Sequence, residues 1–229
     1  HHAAALVQTL GTNGGYTDVR ALIGPVASAD TVLSTARAAM RDAGADGLVV
    51  FVFSGYGVGG DFGEPFLLTQ GATVSDPQGA GLDVNKLAEV LRPTTTDQQI
   101  LVIIDATHAG SVGGVALIGP SASEWPQRST EGLTVITPKV GAAGSQRIGL
   151  VQAFTRSLSI RADTDENGRL SMAEMFRAMG PELSDASGSL IDSAGSLSSK
   201  RTIAVLGGEQ RLSRPGRPVV STALMVSGA

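Results

Sequence analysis

Two runs of nearly uninterrupted apolar residues, Gly47–Ser54 (GLVVFVFS) and Ile100–Ala106 (ILVIIDA), dominate the hydrophobic pattern of the chain. Both are short and rich in Val, Ile and Phe, which predicts strands buried on both faces. Leu133–Thr137 (LTVIT) predicts a third strand, and Val19–Ile23, ending at Gly24-Pro25, a shorter one. Between them the period changes to that of a helix. Val32, Leu33, Ala36 and Met40 share one face behind a cap at Ser28 or Asp30, and Gly44 closes the segment. Further helices are expected at Ala3–Leu10, at Val84–Leu91 before Pro93, at Gly149–Arg161 and at Ala173–Met179. Strands alternating with helices imply an α/β fold: a three-layer sandwich with a mainly parallel central sheet and helices on both faces. Functional groups in such a sheet gather at the C-terminal ends of the strands.

Past the last of these helices the pattern weakens. Residues 184–200 are rich in Ser, Gly and Ala and read as a linker or surface loop. Thr202–Leu206 (TIAVL) predicts a late strand, and the residues after it, with Pro215 and Pro218, predict no element. The division is therefore one domain over 1–183, a linker over 184–200, and a late strand with a tail over 201–229.

Composition narrows the function classes. The 229 residues suffice for one domain with a buried core, and 42% apolar against 17% charged residues suits a compact soluble protein. Thirty glycines against 4% aromatics point to tight turns and an aliphatic core. A formal charge of -4 argues against nucleic acid or an anionic membrane as partner, since both need a basic surface. Cysteine is absent, which excludes disulfides, thiolate metal sites and a cysteine nucleophile. No apolar run approaches the ~20 residues that span a bilayer. The opening His1-His2-Ala3 does not read as a signal peptide and is set aside from the chemistry.

The candidate chemistry lies where the two buried strands end. The first runs into Ser54-Gly55-Tyr56-Gly57 and the second into Asp105-Ala106-Thr107-His108-Ala109-Gly110. This pair resembles the caspase, metacaspase and bacterial caspase-like families, whose strands end in Ser-Gly-His-Gly and Asp-x-Cys-x-Ser-Gly. Tyr56 and Thr107 stand about 50 residues apart, the separation those families keep between histidine and cysteine. Phe66-Leu67-Leu68-Thr69 and the stretch from Phe154-Thr155 to Ala162–Gly168 extend the resemblance over about residues 15–180.

The resemblance implies a caspase-like sandwich, and the departures from it decide the expected activity. The family's chemistry needs a thiolate nucleophile and an imidazole to manage its proton. Thr107 offers a poorer nucleophile, and Tyr56, with an ordinary pKa near ~10, is a hydrogen-bond donor and not a base at neutral pH. His108 adjoins Thr107, yet consecutive residues of a strand point to opposite faces; a histidine bonded to backbone is the alternative to a catalytic one. A Tyr56–Thr107 hydroxyl pair that only fills volume is the alternative to a hydrolytic one. The implied protein is a protease-dead homologue that binds a peptide or protein partner. An active hydrolase with Thr107 as nucleophile is the competing reading.

For binding, the resemblance assigns Asp105, which in metacaspase-like relatives helps receive a basic side chain, together with Gly57 and His108. Backbone amides near Gly57 and Thr107 survive side-chain substitution and suit an oxyanion. Asp105 also reads as a carboxylate that caps a loop at the strand end. One mismatch stands out: the family begins with a central strand ahead of its first helix, and none precedes Ala3. Either the chain is trimmed or the strand comes from elsewhere in it, with Thr202–Leu206 as a candidate, and the slot is expected to be filled.

A second constellation is independent of the first. Asp163, Asp165, Asn167, Arg169 (through its carbonyl), Ser171 and Glu174 stand at positions 1, 3, 5, 7, 9 and 12 of an EF-hand calcium loop, with Gly168 at position 6. The residue types fit a hard cation: clustered oxygens, a glycine for the turn, and a final glutamate that ligates bidentately. A lone loop lacks the usual paired partner, and an acidic loop that caps the next helix is the alternative. Gly55-Tyr56-Gly57-Val58-Gly59-Gly60 satisfies a dinucleotide fingerprint. It is followed by Asp61-Phe62-Gly63-Glu64-Pro65 instead of a helix start, so no nucleotide is expected.

Overall fold

A computed structural model of the chain describes residues 2–59, 64–107, 111–112, 115–116, 131–138, 149–185, 188–189, 191–195, 200–206 and 221–227. The chain opens with α1 (His2–Thr12), β1 (Asp18–Ile23), α2 (Ala29–Ala43) and β2 (Leu48–Gly59). There follow β3 (Pro65–Leu67), α3 (Pro77–Ala80), β4 (Leu82–Asp83), α4 (Val84–Val90) and β5 (Gln99–Thr107). A small antiparallel pair, β6 (Ser111–Val112) and β7 (Val115–Ala116), precedes β8 (Leu133–Pro138), α5 (Leu150–Ser157), β9 (Arg169–Ser171) and α6 (Met172–Met179). The last elements are β10 (Ser184–Asp185), β11 (Gly188–Ser189), β12 (Ile191–Gly195), β13 (Thr202–Val205) and β14 (Ser221–Ser227).

The central sheet runs β1-β14-β2-β5-β8-β12, with β3 and β4 branching from the end of β2. Along this path the pairings from β1 to β8 are parallel and β12 at the edge is antiparallel, as are the β2–β3 and β3–β4 pairings of the branch. The alternation of side chains along each strand feeds two separate cores. Leu48, Val50, Val52, Leu101 and Ile103 face α1, α5 and α6, while Val49, Phe51, Phe53, Val102 and Ile104 face α2 and α4. The result is the expected three-layer α/β sandwich.

The expected strands and helices form where the pattern placed them, with three differences. The helix expected over Gly149–Arg161 ends at Ser157, whose hydroxyl donates to the Phe154 carbonyl at 2.7 Å and competes with the helical ladder; a 3-10 turn at Ile160–Ala162 follows. The segment read as a linker contains β12, which pairs antiparallel with β8 from Ile191–Pro138 to Gly195–Thr134. An edge strand needs no continuous apolar run, and small residues let it sit close: a Cβ on Gly195 would lie 2.2 Å from the Leu133 carbonyl oxygen.

The third difference concerns the central slot. Thr202–Leu206 does not fill it; β13 pairs with β9 in a separate two-stranded ladder. The slot between β1 and β2 holds β14, from the stretch in which no element was expected. β14 matches Thr222–Ser227 to Asp18–Ile23 on one side and Ser221–Ser227 to Leu48–Ser54 on the other. Leu224 and Val226 are buried on the α2 face.

The end of α2 is tied to the sheet by one buried amide. Gln98 Nε2 donates to the carbonyls of Met40 (3.0 Å) and Gly44 (2.8 Å), and Gln98 Oε1 accepts from Thr94 N and Oγ1 at 2.9 and 3.0 Å. Replacing it by Leu keeps volume but leaves those groups without partners. Gln98→Leu is expected to lower stability by about 2 kcal/mol, read as a shifted urea midpoint at unchanged slope.

Candidate functional site

The parallel sheet brings the two sequence signals together. Ser54 pairs in register with Asp105, and Tyr56 with Thr107, at the C-terminal ends of adjacent strands β2 and β5. Alternation from Val52 and Ile103 puts Ser54, Tyr56 and Asp105 on the face that carries α1 and α5. The row continues across β14, because Ser227 is the register partner of Ser54 and lies on the face opposite Leu224 and Val226. Ser227, Ser54 and Asp105 thus form one row, about 4.8 Å from strand to strand, with Tyr56 and Thr107 one step beyond. All three residues of the first row are half-buried.

Asp105 has a structural task. Its Oδ2 accepts from the Val151 N–H at 2.9 Å, at the first turn of α5, where a carboxylate satisfies an orphan donor and meets the positive helix end. The helix cap is Gly149, and a Cβ there would stand 2.9 Å from the same oxygen, so the bare glycine admits the carboxylate. This is the capping role that the sequence left beside the binding role. Tyr56 is 44% exposed and its carbonyl accepts from Leu68 N at 2.9 Å, which anchors the turn-back of the chain. Gly57 pairs with Leu67 in the β2–β3 ladder. Gly55 and Gly57 of the dinucleotide-like pattern lie within strand β2, its third glycine, Gly60, lies outside the described residues, and the next described element, β3, is a strand. His108 lies outside the described residues.

The acidic loop sits at the other end of α5, between the 3-10 turn Ile160–Ala162 and α6. Asp163, Asp165 and Glu174 each place a carboxylate oxygen within 4.8 Å of the others, and the three can hold a metal ion. The loop is wrapped by its own donors. Asp163 accepts from Asn167 N at 3.0 Å and Gly168 N at 2.6 Å, Asp165 accepts from Asn167 N at 3.2 Å, and Asn167 Oδ1 accepts from Arg169 N at 2.8 Å. Gly168 takes φ 76°, a left-handed value that suits glycine.

Glu174 serves both readings of the acidic loop, the cation site and the cap of the next helix. Its Oε2 accepts from the Ser171 N–H (2.9 Å) and hydroxyl (2.8 Å), and the Ser171 hydroxyl accepts from Glu174 N, which closes a capping box on α6. Its Oε1 accepts from Thr164 N at 2.8 Å and Thr164 Oγ1 at 3.0 Å. The Ser171 N–H above all, then the Ser171 hydroxyl and the Thr164 donors, pull the Glu174 carboxyl down to about 2, against the opposing effect of desolvation.

The loop also has a mate. β9, covering positions 7 to 9, pairs antiparallel with β13 through Ser171–Thr202, Leu170–Ala204 and Arg169–Val205. Leu206 N donates to the Gly168 carbonyl at 2.9 Å, and Leu170 is buried with Ile203. The pairing strand comes from the Thr202–Val205 segment.

Sequence reasoning omitted Ser54 and Ser227 from the site. Ser54 was visible as the end of a strand, but only the register makes it a neighbour of Asp105; Ser227 carried no signal because its strand was not expected.

No protein-family model matches the chain, and no curated protein matches it. Among solved structures, the chain is similar to protein GSU0716 from Geobacter sulfurreducens, at 15% sequence identity and a TM-score of 0.48, over 80% of each chain.

Proposed function

We propose that the chain is a catalytically inactive caspase-like peptidase homologue that binds a peptide or protein partner in the crevice above β14, β2 and β5. The observation that carries this reading is the pairing of Tyr56 with Thr107 at the ends of neighbouring central strands, the places of the family's histidine and cysteine. The strand required ahead of the first helix supports it too: β14 lies beside β1 and contacts α1 although it comes last in the chain. A phenol and a hydroxyl in those places lack the base strength of an imidazole, so neither of the two takes a proton from the other near neutral pH. The row Ser227–Ser54–Asp105 offers hydroxyl and carboxylate acceptors to a basic side chain through charge-assisted hydrogen bonds.

Peptides that differ only in Arg, Lys or Glu at one position test this reading by titration and mass spectrometry. The expected result is binding of the basic peptides and no cleavage. Asp105→Asn keeps an acceptor for Val151 N but loses the charge, and is expected to weaken binding of the Arg peptide about tenfold. Cleavage that disappears in Thr107→Ala would overturn the reading in favour of a threonine hydrolase.

The acidic loop binds calcium in the same reading, with Asp163, Asp165, Asn167, the Arg169 carbonyl, Ser171 and Glu174 as donors and a structural task. The β9–β13 ladder supports it, since a paired loop is held in the conformation a cation needs. A saturating excess of calcium is expected to raise the melting temperature by several degrees. The rise is expected to vanish in Asp163→Asn; an unchanged wild-type melt removes calcium from the account.

A further inference from the structure

The ring of Tyr56 is presented to solvent and not packed away. Tyr56 is 44% exposed, whereas the chain's other tyrosine, Tyr16, is 7% exposed and spends its hydroxyl on the Ile203 carbonyl at 2.8 Å. A ring that served only to fill volume would be buried in close contact like the rest of the interior. The backbone beneath Tyr56 is held from both sides. It pairs with Thr107 of β5, its carbonyl accepts from Leu68 N at 2.9 Å, and the next residue, Gly57, is paired with Leu67 of β3. An exposed aromatic ring on an anchored strand end is a rigid contact surface.

Its place relative to Asp105 sets what the ring can touch. Ser54 is the register partner of Asp105, and Tyr56 lies two residues beyond Ser54 on the same face. Tyr56 is therefore rooted one strand across and two residues along from Asp105, about 8 Å between Cα atoms. Aromatic and long side chains span that separation. A side chain that enters over the strand ends to reach Asp105 passes the Tyr56 ring on its way. A guanidinium arriving there brings a flat, weakly hydrated face that stacks on a ring within about 6 Å. A lysine ammonium satisfies the same carboxylate but has no plane to lay against the ring.

We propose that Tyr56 is a specificity-determining residue of the crevice: its ring stacks on an arginine side chain of the bound peptide, so that the site selects arginine over lysine. The inference rests on the reading of the crevice as a site for a basic side chain and adds a second recognition element to it. Asp105 supplies charge, which arginine and lysine satisfy alike. Tyr56 supplies a plane, which arginine alone of the two can match.

The test titrates the full chain with short acetylated alanine peptides that carry Arg, Lys or norleucine at the centre. With wild type, and with Tyr56→Phe, which keeps the ring, the Kd is expected to be about threefold lower for the Arg peptide than for the Lys peptide. With Tyr56→Leu the two are expected to bind equally. NMR adds a signature that a merely structural role would not move. The arginine δ-methylene protons are expected to shift upfield, through the ring current, on binding to wild type and Tyr56→Phe but not to Tyr56→Leu. An arginine preference and upfield shift that persist in Tyr56→Leu, with binding still weakened by Asp105→Asn, overturn the stacking and leave the binding reading standing. A preference lost in Tyr56→Phe as well overturns it too, because the hydroxyl and not the ring would then discriminate. Absence of binding of every peptide to wild type overturns both the inference and the reading beneath it.

Discussion

Leu224→Asp is expected to abolish the cooperative unfolding transition. Leu224 lies at the middle of β14, 1% exposed, between Arg20 of β1 and Phe51 of β2, and packs in the core beneath α2. Removing the side chain alone costs about 3 kcal/mol, and burying an unpaired carboxylate adds several more. A domain of this size holds roughly 5–15 kcal/mol in all, so the sum consumes most or all of its stability. The charge cannot escape by fraying, because the strand has a neighbour on each side. Val26→Asp, at a position 56% exposed, is the control and is expected to stay within about 0.5 kcal/mol of wild type. Thermal melts followed by far-UV circular dichroism separate the two outcomes. A Leu224→Asp chain that melts like the control would mean that β14 is not in the sheet.

Glu174→Ala is the second large effect, expected at roughly 3 kcal/mol. The substitution removes the carboxylate that serves the Ser171 and Thr164 donors, and with it half of the capping box of α6. The same carboxylate makes stability depend on acid. Its folded-state pKa lies at about 2, below the ordinary 4.5, so the folded state favours the ionised form. The contribution is complete above about pH 4.5 and fades as pH falls through about 2, below which the carboxyl is protonated in both states. Urea midpoints from pH 6 to pH 2 are expected to fall more steeply for wild type than for Glu174→Ala over that window. Parallel curves would remove Glu174 from the acid response.

The parts of the fold legible in the sequence are those where burial alone decides. Leu48–Phe53 and Ile100–Ile104 must be apolar on both faces to sit inside a covered parallel sheet, and they are. The same logic failed for β14. Its Ser221, Thr222 and Ser227 dilute the apolar stretch, and Pro215 and Pro218 just upstream suggest a tail. A central strand takes its stability from neighbours that supply both ladders, and nothing in its own residues records who those neighbours are. β12 was missed for the opposite reason, since an edge strand requires little of its sequence.

The site divides in the same way. The acidic loop was readable residue by residue, because its donors are local and the spacing is set by the backbone of one turn. The mate of that loop, β13, was not, since pairing across about 30 residues leaves no local mark. Tyr56 and Thr107 were found through a resemblance of motifs, whereas the row that Ser227 and Ser54 make with Asp105 exists only through strand register.

The position of β14 also dictates the timing of biosynthesis. At roughly 5–20 residues per second, the stretch of about 160 residues between the end of β2 and the start of β14 occupies a ribosome for about 8–30 s. Throughout that interval the nascent chain displays two apolar strands whose common neighbour has not been made. Helices α1, α2 and α4 can form meanwhile, but the centre of the sheet they cover cannot close until β14 has been made.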